Sequence, residues 1–220
     1  MAKYKSKSMK LVLFDMDGTI IDPKLGFVRC INYALNAMDE EPVPESELVQ
    51  YIGPPLDYAF KNIVTNCSDD FVMKCVAKYR ERYLDIGWQE NHLYQGIDKI
   101  LQTLQADNYT LAICTSRRTD LALKIINFYG YNSIFSEVYG ADIGVKKSTL
   151  VENLITQKKF TADSWLIGDR SFDINAAKLN GLHSIAVLWG YGSKQELENC
   201  SPDFYVSKPN EIIGIIKNHF

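Results

Sequence analysis

The stretch LVLFDMDGTIID, from Leu11 to Asp22, joins a run of four apolar residues to two closely spaced carboxylates. The run from Leu11 to Phe14 is short and continuously apolar, which favours a strand that is covered on both faces. Asp15 and Asp17 follow it directly, and a carboxylate is rarely placed beside a core unless it is paired or has a function. We therefore expect a core strand that ends in functional acids, although Asp-Gly alone is also a common turn signal.

Further short apolar runs recur along the chain, and helical patterns separate them. The runs are TLAIC, SWLIG and SIAVLW, with EVYGA and DFYV as two more candidate strands. One of the helical patterns, GIDKILQTLQ, places Ile97, Ile100, Leu101 and Leu104 on one face. Strands that alternate with helices in this way predict an α/β fold with a doubly wound, Rossmann-like parallel sheet.

One segment interrupts this alternation. Residues 22–93 show helical periodicity and the turn-rich sequence PVPESELVQYIGPPL, but no strand-like run of the kind found elsewhere. We interpret residues 22–93 as an inserted helical domain, with Asn91–Gly96 as the return linker. The α/β core then comprises residues 1–21 and 94–220.

Charge and hydropathy exclude several classes of partner. The first ten residues carry four lysines, Lys3, Lys5, Lys7 and Lys10, and no acid, while the remaining 210 residues hold 20 basic and 27 acidic residues. This balance argues against a nucleic-acid groove, and the basic leader is interpreted as a solvated tail or, alternatively, a phosphate-binding arm. No stretch is long and apolar enough for a membrane span or a signal peptide, so we expect no membrane partner and a cytoplasmic location.

The five cysteines form no CxxC pair, which argues against zinc sites and disulfides and favours reduced, buried thiols. The composition is compatible with a monomer or a homodimer.

The residues that follow each apolar run are chemically consistent with one another. In an open parallel sheet, ligands bind at the carboxyl ends of the strands. Thr115 and Ser116 follow TLAIC, and Asp169 and Asp173 follow SWLIG. In the chain, a helix that begins at Lys146 and Lys147 lies between these two strands. Carboxylates from two strand ends suit Mg2+, while a hydroxyl and a lysine suit a phosphate group. Asp15 could then attack phosphorus to form an aspartyl-phosphate, and Asp17 could protonate the leaving oxygen and later activate water.

Four features of the sequence resemble, in order, the four motifs of the haloacid dehalogenase superfamily of phosphohydrolases. They are the motif DMDGT, a later strand that ends in Thr-Ser, a lysine, and then GDRSFD. The helical insertion resembles the cap domain of that family. YIGPPL and LWGYGSKQEL further resemble the branch that contains phosphoglycolate phosphatases and related bacterial 5'-nucleotidases. The resemblance implies a Mg2+-dependent phosphatase that acts on a small phosphorylated substrate.

The resemblance also implies roles for individual residues. Asp15 would be the nucleophile and a metal ligand, and Asp17 would be the general acid and base, with its backbone carbonyl on the metal. Thr115 and the backbone of Ser116 would hold the phosphoryl group. Asp169 would bind the metal, and Asp173 would support the metal site directly or through water.

The remaining assignments are less specific. Lys147 fits the position of the active-site lysine, with the adjacent Lys146 as the alternative. Arg117 or Arg118 is expected to reach substrate unless both arginines lie on the solvated surface, and Tyr51 and Gly53 of the cap loop are candidate substrate contacts. Two other functions stay open, a phosphomutase with the same catalytic residues and a binding protein that has kept the fold without turnover.

Overall fold

The computed structural model describes residues 11–141, 145–157 and 163–219. The basic leader with Lys3, Lys5, Lys7 and Lys10 lies outside the described residues. In chain order the strands are β1 (Leu11–Phe14), β2 (Ile21–Asp22), β3 (His92–Leu93), β4 (Thr110–Thr115), β5 (Phe135–Gly140), β6 (Trp165–Gly168), β7 (His183–Val187) and β8 (Phe204–Val206). The α-helices are α1 (Lys24–Asn36), α2 (Glu45–Leu48), α3 (Leu56–Ile63), α4 (Asp69–Asp85), α5 (Ile97–Ala106), α6 (Thr119–Phe128), α7 (Lys147–Thr156), α8 (Ser171–Leu179), α9 (Lys194–Cys200) and α10 (Pro209–His219).

Six of the strands form one parallel sheet in the order β5-β4-β1-β6-β7-β8. The strand β1 therefore lies inside the sheet, between β4 and β6. The strands β4 and β5, which come next in this sheet along the chain, lie on one side of β1, whereas β6, β7 and β8 lie on the other side. The order of the strands therefore reverses at β1. The predicted doubly wound parallel sheet is thus confirmed, and every run proposed as a strand contributes to it.

The side chains of β1 explain why its sequence is apolar without alternation. Val12 and Phe14 pack into the core on one face of the sheet, with residues of α5, α6 and α10. Leu11 and Leu13 pack into a second core on the other face, with residues of α7 and α8. Because helices cover both faces, no position of β1 is free to carry a polar side chain.

The helices α1 to α4 lie between β2 and β3, which pair with each other in an antiparallel two-stranded ribbon. Ile21 pairs with Leu93, and Asp22 pairs with His92. Sequence patterns did not indicate this ribbon, since two residues per strand are too few for a periodicity. The predicted boundaries of the helical insertion, at residues 22 and 93, fall on the ribbon.

The cysteine side chains and the hydropathy of the helices were also considered in the sequence. All five cysteines are free thiols, and Cys30, Cys75 and Cys114 are buried. Over the ranges that the structure describes, no helix has both the length and the apolar character needed to cross a membrane.

We predict that Leu13→Ala destabilises the protein strongly, because Leu13 is fully buried in the central strand. Loss of a buried leucine side chain costs about 2–5 kcal/mol, and the melting temperature should fall by about 5 °C or more. The matched control is Leu179→Ala, since the Leu179 side chain is 76% exposed, and its effect should stay within about 0.5 kcal/mol. Thermal unfolding followed by circular dichroism measures both, and equal losses would contradict the assignment of β1 to the core.

Candidate active site

Three strands direct polar residues to one edge of the sheet. Asp15 follows β1, Thr115 ends β4 and Asp169 follows β6, so the carboxyl ends of three neighbouring strands meet there. The turn after Asp15 depends on Gly18, whose φ is +81°. A Cβ atom at Gly18 would lie 2.1 Å from Asp169 Oδ2. The glycine therefore permits both the left-handed backbone and the close approach of the two strand ends.

Three carboxylates form a buried cluster at this edge, contributed by Asp15, Asp169 and Asp173. They are 7%, 1% and 1% exposed, respectively, and each offers an oxygen within 4.8 Å of the others. Asp173 lies in the first turn of α8, where its Oδ2 accepts a hydrogen bond of 3.0 Å from the backbone N–H of Arg170. The predicted metal-site residues Asp15, Asp169 and Asp173 are thus brought together.

Lys147 is the cation of this cluster. Its Nζ lies 2.7 Å from Asp15 Oδ1 and also donates to Asp173 Oδ1. Lys147 begins α7 and is buried, whereas Lys146 caps the same helix and is exposed. Of the two adjacent lysines, the geometry therefore favours Lys147. Burial alone would lower the pKa of Lys147, but the charges of Asp15 and Asp173 outweigh that effect and raise it.

The cluster holds three carboxyl groups against one ammonium group, and this excess shifts the carboxyl pKa values. Burial, with a contribution from Asp173, raises the pKa of Asp15 to about 7 even though Lys147 opposes the shift. Burial and the neighbouring carboxyls also raise the pKa of Asp169 well above its usual value. An all-oxygen donor set with surplus negative charge fits a hard divalent cation such as Mg2+.

The carboxylate of Asp17 is not part of this three-carboxylate cluster and forms an ion pair with Arg117. The Nη2 and Nε atoms of Arg117 lie 2.6 and 3.0 Å from the two oxygens of Asp17. The metal-ligand prediction for Asp17 concerns its backbone carbonyl, so this pairing does not bear on it. Sequence reasoning considered Arg117 only as a substrate contact or a surface residue. The pair joins residues 100 positions apart, which no local pattern could indicate.

The predicted phosphate-binding residues differ in exposure. The Thr115 side chain is buried, and its Oγ1 accepts a hydrogen bond of 3.2 Å from the backbone N–H of Arg117. Ser116 is exposed at the same strand end. Both residues therefore lie at the sheet edge that carries Asp15.

Arg170 of the core contacts the loop of the helical insertion that contains Tyr51 and Gly53. The Nη1 atom of Arg170 donates a hydrogen bond of 2.6 Å to the carbonyl of Ile52, and its Nε pairs with Glu196 at 3.0 Å. Gly53 is exposed with a φ of +105°, and Tyr51 is half-buried. Arg170 was not among the predicted site residues, because a contact between distant segments leaves no signal in either one.

A second core loop supports the acidic cluster from the other side. The backbone N–H of Tyr191 donates a hydrogen bond of 2.7 Å to Asp169 Oδ2. The indole N–H of Trp189 donates one of 3.1 Å to the carbonyl of Thr19. A cavity of about 480 Å³ opens beside this loop, bordered by Gln50 of the helical insertion and by Tyr94, Trp189 and Tyr191.

Comparisons with known proteins identify relatives that share this architecture. A family model described as haloacid dehalogenase-like hydrolase matches residues 12–187. A 5'-nucleotidase from Pseudomonas aeruginosa is 30% identical over 94% of this chain and 96% of its own length. A phosphoglycolate phosphatase from Aliivibrio fischeri is 28% identical over 96% of this chain and 97% of its own length.

Two solved structures extend the comparison. A haloacid dehalogenase-like family hydrolase from Streptococcus pneumoniae superposes with a TM-score of 0.86 at 26% identity, over 94% of this chain and 98% of that one. Protein tyrosine kinase A from Mycobacterium tuberculosis superposes with a TM-score of 0.81 at 27% identity, over 96% of this chain and 99% of that one.

We predict that MgCl2 stabilises the chelator-treated protein, because a cation that binds only the folded state adds its binding free energy to folding. A concentration of about 100 times the Kd adds about 2.7 kcal/mol, or roughly 5–10 °C in melting temperature. The shift should be larger at pH 8 than at pH 5.5. Since the pKa of folded Asp15 is raised to about 7, protons stabilise the metal-free fold as the pH falls below that value, and Mg2+ must displace them.

The matched variants for this measurement are Asp169→Asn and Asp70→Asn. Asp169 belongs to the cluster, whereas Asp70 is an exposed residue that pairs with Lys74 on α4. Differential scanning fluorimetry should show the Mg2+ shift in the wild type and in Asp70→Asn, and a much smaller shift in Asp169→Asn. An undiminished shift in Asp169→Asn would place the cation elsewhere.

Proposed function

The chain belongs to the haloacid dehalogenase-like hydrolase family, and we propose on that premise that it is a Mg2+-dependent phosphatase of small phosphate monoesters. This membership agrees with the resemblance read from its motifs, and relatives named 5'-nucleotidase and phosphoglycolate phosphatase support the phosphatase class. The observation that carries the proposal is the contact of 2.7 Å between Lys147 Nζ and the buried Asp15 carboxylate, beside Asp169 and Asp173. We also propose that it acts in the cytoplasm.

In this proposal the phosphate of the substrate binds where Thr115 and Lys147 meet Asp15. The hydroxyl of Thr115 and the backbone N–H of Ser116 donate hydrogen bonds to its oxygens, and the ammonium group of Lys147 offsets part of its charge. Asp15 and Asp169, with Asp173 beside them and the carbonyl of Asp17, would hold the metal ion. A divalent cation there would offset the remaining negative charge of the carboxylates and the phosphate.

The reaction then proceeds in two steps on Asp15. A carboxylate oxygen of Asp15 attacks phosphorus, the bond from phosphorus to the leaving oxygen breaks, and that oxygen takes a proton from Asp17. Asp17, now a carboxylate, takes a proton from water as the water oxygen attacks the aspartyl-phosphate. The bond between phosphorus and the Asp15 oxygen breaks, which releases inorganic phosphate and restores the enzyme.

We assign residues 22–93 the role of a cap over this site, with Tyr51 and Gly53 on the side that faces the leaving group. The contact between Arg170 and the carbonyl of Ile52 supports this placement of the loop. Relatives named 5'-nucleotidase and phosphoglycolate phosphatase make nucleoside 5'-monophosphates and phosphoglycolate the candidate substrates.

We predict that the protein releases inorganic phosphate from at least one member of a panel of phosphoglycolate, nucleoside 5'-monophosphates and sugar phosphates. Release should need Mg2+, stop with a chelator and fall by a factor of about 10³ or more in Asp15→Asn, because the amide cannot form the phosphorylated intermediate. Colorimetric phosphate detection measures all of these, and full release by Asp15→Asn would remove the nucleophile assignment.

Two further assays distinguish phosphate hydrolysis from related phosphoryl-transfer reactions. A hexose 1-phosphate that yields an isomeric hexose phosphate instead of free phosphate would identify a phosphomutase. Because the chain is similar to a protein tyrosine kinase, the second assay incubates it with ATP and a tyrosine-containing peptide. Formation of phosphopeptide instead of free phosphate would identify kinase activity. Neither product is expected from the phosphatase proposed here.

A further inference from the structure

Arg117 contacts Asp17, the proposed general acid and base, and also contacts the helical insertion. Its guanidinium group forms a two-point ion pair with Asp17, with distances of 2.6 and 3.0 Å. On its other side, the guanidinium carbon is 5.1 Å from the centre of the Tyr83 ring, a cation–π contact with α4. Arg117 therefore contacts both the catalytic edge of the sheet and the proposed cap.

The arginine is held in place by several contacts. Its backbone N–H donates to Thr115 Oγ1, and its carbonyl accepts a hydrogen bond of 3.1 Å from the N–H of Ala141. Tyr83 is itself buried and stacks on Tyr79, with ring centres 5.7 Å apart. The Arg117 side chain is 13% exposed and that of Asp17 is 21% exposed. The ion pair is thus partly shielded, where a charge-assisted contact is worth more than on an open surface.

This geometry fixes the direction in which the Asp17 carboxyl group points. A carboxylate has about four lone-pair positions on its two oxygens, and the fork of Arg117 takes one position on each oxygen. A second position on each oxygen stays available for a proton. A lysine would bind as a single point charge and would leave the carboxylate free to rotate.

We propose that Arg117 is a positioning residue that orients Asp17 for proton transfer and couples that orientation to the cap through Tyr83. This inference rests on the proposed function. In the first step Asp15 attacks phosphorus, the bond from phosphorus to the leaving oxygen breaks, and Asp17 gives that oxygen its proton while the guanidinium group of Arg117 fixes the orientation of the carboxyl group. Arg117 keeps its charge throughout, because its guanidinium group does not lose a proton in proteins.

A positioning role predicts that the effect of losing Arg117 depends on the leaving group. Benzyl phosphate leaves as a strongly basic alkoxide that needs a proton, whereas p-nitrophenyl phosphate leaves as a stabilised phenolate that does not. The organic groups of the two esters are both aromatic, similar in size and without net charge, so direct binding of the intact ester by Arg117 affects both alike. The parameter to compare is kcat/KM, which reports the free-energy barrier from free enzyme and substrate.

We expect Arg117→Met to lower kcat/KM for benzyl phosphate by a factor of about 10², and for p-nitrophenyl phosphate by less than about threefold. Arg117→Lys should show the same preference with a smaller loss, and this variant retains a cation if Arg117→Met fails to fold. Tyr83→Leu should act in the same direction through loss of the cap contact. Arg118→Met is the matched control, because Arg118 is the adjacent, exposed arginine and pairs with Asp120 on the surface.

Asp17→Asn separates this inference from the function on which it rests. In that variant kcat/KM should also fall more for benzyl phosphate than for p-nitrophenyl phosphate. The double variant Asp17→Asn with Arg117→Met should have the same kcat/KM for benzyl phosphate as Asp17→Asn alone. Equal losses on both esters in the Arg117 variants, or faster cleavage of benzyl phosphate, would overturn the positioning role. If Asp17→Asn itself shows no ester preference, the proposed acid is wrong, whatever the Arg117 variants do.

Discussion

The buried charge at the end of β1 is the constraint on which the rest of the site depends. Asp15, Asp169 and Asp173 are buried together with Lys147, whose ammonium group contacts Asp15 and Asp173. Removing charged groups from water is costly unless they are paired. The chain nevertheless keeps this cluster at the centre of its sheet, although replacing buried charges by a hydrophobic cluster of the same volume is often neutral or stabilising. The proposed binding of a phosphate and a cation would account for this arrangement.

The remaining architecture serves to hold these groups at fixed positions. The two faces of β1 are packed into separate cores, so the strand that carries Asp15 has little freedom to shift. Gly18 lets the turn after it approach Asp169, and the N–H of Tyr191 orients the same carboxylate from another loop. Asp15 and Asp169 therefore directly follow strands of the core, and contacts from neighbouring loops orient the Asp169 carboxylate.

The sequence was sufficient for the parallel sheet, because periodicity and strand-end chemistry are local and repeat along the chain. It also pointed to Asp15, Asp169, Asp173 and Lys147 as neighbours, since all of them lie at strand ends or helix starts. It could not reveal the pairing of Arg117 with Asp17 or the contact of Arg170 with Ile52. Each of these joins distant segments through side-chain conformation, which depends on strand order and packing that no single segment encodes.

The ribbon of β2 and β3 has a mechanical consequence. Both connections between the helical insertion and the sheet run side by side and are paired, Ile21 with Leu93 and Asp22 with His92. Because the two connections are paired, the start and the end of the insertion stay next to each other. The ribbon begins at Ile21, only a few residues after Asp17 in the chain. A displacement of the insertion that moved the ribbon would therefore also act on the turn that carries Asp17.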